Sequence, residues 1–189
     1  MPTLEPPDAT LLAAASGGDR EARSQLIREI APMVLGWCLH LAYGRVDPED
    51  AAHDVLVSVL DHLGSVRDPE AFPAWVWRIT SREVVRQARA ARLRAWLPLP
   101  DTWKGRPDRD PWDGGDDLAR DVQAAVDALP RRLREVIVLC DLCCYTDDEA
   151  AALLLVPLGT VKSRLQRARV LFRREAEGRG LAPVRALAP

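Results

Sequence analysis

Lysine is nearly absent from this chain: of 26 basic residues only Lys104 and Lys162 are lysines. The bias points to a GC-rich genome before it points to function, although arginine does suit bidentate contacts. Aromatic residues make up only 5% against 48% hydrophobic residues rich in Ala and Leu, a balance that favours helices over sheets. No alternating segment of useful length marks a strand. No apolar run approaches about 20 residues, so no membrane-spanning helix is expected. The first residues, MPTLEPPD, lack a basic segment followed by an apolar core; a secretory signal is therefore not expected, and the chain should be cytoplasmic. Of four cysteines, Cys140 and Cys143 form a C-x-x-C with Cys144 adjacent, but no partner pair has metal-ligand spacing and Cys38 is distant. They read as buried or incidental thiols, and His40, His53 and His62 as ordinary core or surface residues, so neither metal nor cofactor is expected. Nothing combines a nucleophile, a base and an oxyanion site, which argues against an enzyme with a small-molecule substrate.

What is present is a sharp segregation of charge. The formal net charge is only −2, yet Arg78 to Arg94 holds six arginines against Glu83 alone, and Thr160 to Gly180 holds seven basic residues against Glu175 and Glu177. Between these blocks, Asp108 to Asp121 contains six aspartates against Arg109 and Arg120. Two basic blocks flanking an acidic connector suit polyanion binding by each block.

Start and stop signals divide the chain into helices. Asp8 caps a short apolar helix ending at Gly17-Gly18, and Asp19 caps another running towards Tyr43-Gly44. Asp47-Pro48 reads as an N-cap with Pro at the first helical position, opening a third helix to Leu63-Gly64 with Val55, Val59 and His62 on one side. Asp68-Pro69 repeats the signal before a long helix from about Glu70 to Ala95, in which Trp75 is assigned to the core. Pro98, Pro100, Pro107, Pro111 and Gly114-Gly115 then preclude regular structure. Helical patterning resumes near Asp117, pauses at Pro130 and continues through Cys143. The expected fold is all-α: a helical domain over 8–96, a flexible linker over 97–116 and a second helical domain over 117–177 that ends in a helix-turn-helix.

That last motif is the most informative stretch. In TDDEAAALLLVPLGTVKSRLQRAR (146–169), Thr146 and Glu149 have capping-box spacing, Pro157 and Gly159 punctuate, and Val161, Leu165, Ala168 and Phe172 recur on one buried face. The other faces carry Lys162, Arg164, Arg167, Arg169, Arg173 and Arg174, a charge density suited to phosphates and guanine edges. In the long fourth helix Arg78, Arg82, Arg86 and Arg89 form one stripe; like charges at this spacing repel, so the stripe implies a polyanion or an acidic partner surface.

PEDAAHDVLVSVL (48–60) followed by FPAWVWRIT (72–80) resembles the second conserved region of extracytoplasmic-function (ECF) sigma factors. ALPRRLREVIVLCDL (128–142) followed by the helix-turn-helix through Phe172 resembles their fourth. The resemblance implies a dissociable specificity subunit whose partners are core RNA polymerase, promoter DNA and an anti-sigma factor. By that resemblance Asp50, His53 and Asp54 lie on the polymerase-binding helix. The loop from Gly64 to Glu70 and the arginines Arg78, Arg82, Arg86 and Arg89 would face the minus-10 element. Lys162, Ser163, Gln166 and Arg167 would read minus-35 bases, with Thr160, Arg164 and Arg169 nearer phosphates, while the acidic linker would thread the polymerase's nucleic-acid channel. Five positions depart from the family pattern. Ala51, Ala52 and His53 stand where a Gln and larger apolar residues are usual, Arg82 stands in place of a frequent Asn, and Leu155 replaces the turn glycine, where a left-handed backbone would be strained. The alternative reading is a stand-alone helix-turn-helix regulator.

Overall fold

A computed structural model describes residues 5–42, 46–96 and 117–181; the expected linker, 97–116, lies outside the described residues. Helices α1 (Ala9–Ser16), α2 (Arg20–Leu41), α3 (Pro48–His62) and α4 (Phe72–Trp96) form the N-terminal half. The C-terminal half contains α5 (Asp117–Asp127), α6 (Arg131–Ile137), a π-helical turn (Val138–Leu142), α7 (Asp147–Leu154) and α8 (Leu158–Gly178). No strand occurs among the described residues, and none of their helices is long and apolar enough to cross a membrane.

The capping signals operate as the sequence implies. Asp8 accepts from the backbone N–H of Thr10, Asp19 from that of Ala22, and Asp47 from those of Glu49 and Asp50. Each satisfies an orphan donor of a first helical turn, contributing about 1 kcal/mol. Asp68 does the same for Glu70, but the helix it opens is a single 3-10 turn (Pro69–Ala71) that leads into α4.

Helices α1, α3 and α4 pack around α2 through Leu12, Leu26, Ile30, Val34, Trp37, Val55, Val59, Phe72 and Val76, all at most 3% exposed. Fully burying each large aliphatic or aromatic side chain contributes roughly 1.5–3 kcal/mol. Trp77 is buried and its ring meets Trp37 edge to face, with centroids 5.2 Å apart. Trp75 is half-buried against Phe72, which agrees with its assignment to the core. His62 does not join Val55 and Val59: it is exposed at the end of α3, with Nδ1 2.9 Å from the Ser58 carbonyl oxygen.

In the C-terminal half α8 packs on α6, α5 and α7. Its core residues include Val126, Val136, Leu139, Val161, Leu165 and Phe172. Arg134 is buried and closes the α5–α6 corner by donating to the carbonyl oxygens of Val126, Asp127 and Leu129. A guanidinium serves here because the turn leaves several carbonyls converging on one point.

Candidate nucleic-acid and polymerase interface

Local rules place α7 and α8. Thr146 Oγ1 accepts from Glu149 N–H at 3.3 Å while the Glu149 carboxylate accepts from Thr146 N–H at 2.7 Å, completing the capping box. At the other end of α7, Leu155 adopts φ 53° and ψ 46°, and Val156 N–H reaches back to the Ala151 carbonyl at 3.1 Å. The geometry is a Schellman cap built on leucine, so the strain expected from the missing glycine is present. Because Leu155 is 69% exposed, little packing is lost when it is trimmed. Leu155→Gly should stabilise the protein by about 0.5–1 kcal/mol, the left-handed penalty less glycine's extra chain entropy. Thermal melting checks this: Tm should rise by roughly 1–4 °C, and Leu155→Val should lower it.

Helix α8 buries Val161, Leu165, Ala168, Phe172 and Ala176, and that stripe fixes its rotation. Lys162, Ser163, Gln166 and Arg167 are consequently exposed together near its N-terminal end, while Thr160 and Arg164 are half-buried. Pro157 offers α8 no side-chain cap and its first turn has no acid, which leaves the positive end of the helix open to phosphate. Lys162, Gln166, Arg169 and Arg173 line a hollow of about 290 Å³ together with Asp147 of α7.

Arg169, expected nearer phosphates, has a partner within the chain. Its Nε and Nη2 lie 3.1 and 2.7 Å from the two carboxylate oxygens of Asp141, whose side chain is only 8% exposed. The Asp141 hydrogen bonds hold the guanidinium above its ordinary pKa. A bidentate pair to a buried carboxylate on the π-helical turn makes Arg169 a strut that sets α8 on the rest of the half. Arg169→Ala should therefore destabilise the fold by about 1–2 kcal/mol, tempered because the arginine is itself partly solvated. Urea unfolding reads this; an unchanged midpoint would return Arg169 to a purely DNA-facing role.

On the N-terminal half, Asp50, His53 and Asp54 are all exposed along α3. Asp54 is not isolated: Gln87 donates to its Oδ2 at 2.9 Å, and Arg86 Nη2 lies 3.8 Å away. Arg86 also forms a bidentate pair with Glu83, whose carboxyl is held below its usual range chiefly by that hydrogen bonding. The four-arginine stripe is thus interrupted. Arg78, Arg82 and Arg89 are exposed with no ion pair among the described residues, whereas Arg86 is largely neutralised. Sequence reading missed the Asp54 contacts because Asp54 and Gln87 meet only when α3 packs on α4, whereas the Arg86–Glu83 pair is local, at i,i+3 within α4.

The cysteines are free thiols. Burial pushes Cys38, Cys140 and Cys143 up to about 12, with Glu83 adding to the effect on Cys38 and Asp147 and Asp141 to that on Cys140. A redox C-x-x-C needs the opposite shift. Cys144 is exposed, in a left-handed conformation with φ 60°. Among the described residues no three His, Cys, Asp or Glu side chains gather as a metal site. Alkylation of the native protein at about pH 8 should label Cys144 alone, as read by mass spectrometry. Rapid modification of Cys140 or Cys143 would point instead to a redox role for that C-x-x-C.

An all-α chain with an exposed basic face on the second helix of a capped pair is a helix-turn-helix protein. The family described as Sigma-70 region 2 matches residues 26–94, and that described as Sigma-70, region 4 matches residues 119–171. The ECF RNA polymerase sigma factor SigE of Mycolicibacterium smegmatis is 31% identical over 182 residues, which cover 91% of this chain and 68% of that protein. SigM of Mycobacterium tuberculosis is 33% identical over 167 residues, covering 88% of this chain and 83% of that one. Among solved structures, CnrH in complex with the cytosolic domain of CnrY matches at 26% identity and TM-score 0.62, covering 90% of this chain and 97% of that chain. The sigma factor RpoE of Bartonella quintana, solved with the anti-sigma factor NepR, matches at 22% identity and TM-score 0.55, a likeness of fold. The chain belongs to the ECF RNA polymerase sigma factors.

Proposed function

We propose that the two halves divide the work of promoter recognition, in a cytoplasmic, non-enzymatic specificity subunit of core RNA polymerase. Lys162, Ser163, Gln166 and Arg167 read minus-35 base edges in the major groove, and Thr160, Arg164 and the open end of α8 position phosphates. Arg78, Arg82 and Arg89 track the minus-10 strand beside the Gly64 to Glu70 loop, where unpaired bases can be held out of the stack. Asp50, His53 and Asp54 contact the polymerase, and an anti-sigma factor competes for the same subunit.

The observation that carries this reading is the rotation of α8: its buried stripe turns four hydrogen-bonding or basic side chains outward together at the end of the helix that enters a groove. Reconstitution with core polymerase and run-off transcription on genomic fragments tests it. Discrete transcripts that appear only when chain and core are combined are the expected result. Their absence, with operator binding by the chain alone, would favour a stand-alone regulator.

A further inference from the structure

Gln87 lies on α4 between Arg86 and Arg89, half-buried where that helix packs on α3. Its side-chain amide nitrogen carries two hydrogens, and each has a carboxylate to go to: Asp54 Oδ2 on α3 at 2.9 Å and Glu83 Oε1, one turn back on α4, at 3.1 Å. A neutral donor thus bridges two anions. Arg86 pairs with the same Glu83 and lies 3.8 Å from the same Asp54 oxygen, a long contact between side chains that are both more than half exposed. Ion pairs of that kind contribute little. The shorter hydrogen bond from Gln87 is therefore what holds Asp54.

The two oxygens of Asp54 are left unequal. Oδ2 takes both contacts from α4, whereas Oδ1 has no partner among the described residues and the side chain is 51% exposed. One oxygen is tied down and the other is presented. A lysine or arginine at position 87 could also tie the carboxylate, but it would cancel the charge that a cationic partner surface needs. Glutamine orients it and leaves it charged. A carboxylate already held in one rotamer loses less freedom on docking than one that swings, and the difference appears as affinity.

We infer that Gln87 is a positioning residue of the polymerase contact: reaching across from α4, it fixes the Asp54 carboxylate in the orientation that core polymerase meets. The inference rests on the polymerase-binding role proposed above for Asp54. It adds a residue of α4 to the assembly surface without requiring that residue to touch polymerase.

The test is a double-mutant cycle on the full-length chain, with affinity for core polymerase read by fluorescence anisotropy and folding by circular dichroism. Gln87→Leu keeps the helix propensity and removes both donors, and it should weaken binding about three- to tenfold, the range that freeing one interface side chain spans. Gln87→Ala should do the same. Asp54→Ala should weaken binding about thirtyfold or more. Adding Gln87→Leu to Asp54→Ala should then cost nothing further, since the group it positioned is gone. Added to Asp50→Ala it should still cost its full loss, because Gln87 bonds Asp54 and Glu83 instead. A loss from Gln87→Leu of the same size with and without the Asp54 carboxylate would overturn the proposal, showing that Gln87 acts through the fold. So would wild-type affinity in a folded Gln87→Leu chain. Unchanged affinity in Asp54→Ala is a separate failure, and it would remove the docking role of Asp54 on which the proposal rests.

Discussion

Reversing both Asp50 and Asp54 to Arg is expected to abolish assembly with core polymerase and transcription while leaving the helices intact. Both carboxylates are exposed on α3. The fold cost is modest. Asp50 sits in the first turn, where a negative charge is favoured by about 0.3–1 kcal/mol, and Asp54 gives up one hydrogen bond from Gln87 and a long contact with Arg86. Removing one side of a docked charge pair costs about 2–5 kcal/mol, and reversal adds repulsion, so binding should weaken on the order of a hundredfold or more. A pull-down on core polymerase beside circular dichroism measures both quantities. A folded double variant that assembles normally would remove α3 from the polymerase contact.

Arg167→Ala should cost about 1–3 kcal/mol of promoter affinity and relax preference at one minus-35 position, because a bidentate base contact discriminates by that amount. If Arg164, which is half-buried, contacts phosphates, Arg164→Ala should weaken all sequences alike and reduce the salt slope by about one. Titrations of holoenzyme on matched and scrambled minus-35 elements separate the two. Equal losses on both elements for Arg167→Ala would place that residue on the backbone instead.

The helices were legible because their boundaries are written locally. Asp8, Asp19, Asp47 and Thr146 each cap within three residues of themselves, whereas the left-handed turn at Leu155 was legible only through the family resemblance, since leucine itself carries no such signal. The exposed face of α8 was legible for a local reason too, since the spacing of Val161, Leu165, Ala168 and Phe172 fixes what is left outside. Long-range pairing left no such trace. Arg169 and Asp141 are 28 positions apart, Gln87 and Asp54 33, and Ser81 and Glu135 54. Arginines that look equivalent along a stripe therefore divide into free cations and structural struts only when the helices pack. The π-helical turn was illegible too: it adds one residue between α6 and α7 through backbone bonds such as Cys143 N–H to the Val138 carbonyl, and no residue type announces it.

As a sigma factor, this chain should recognise promoters as a subunit of polymerase and not alone. Gel-shift titrations on one promoter fragment, carried out with the chain, with core polymerase and with the two combined at fixed salt, test it most directly. A salt-resistant, sequence-specific complex is expected only in the combination, because each half alone presents few contacts and the polymerase supplies the scaffold that fixes their spacing. Tight, sequence-specific binding by the free chain, unimproved by polymerase, would contradict it.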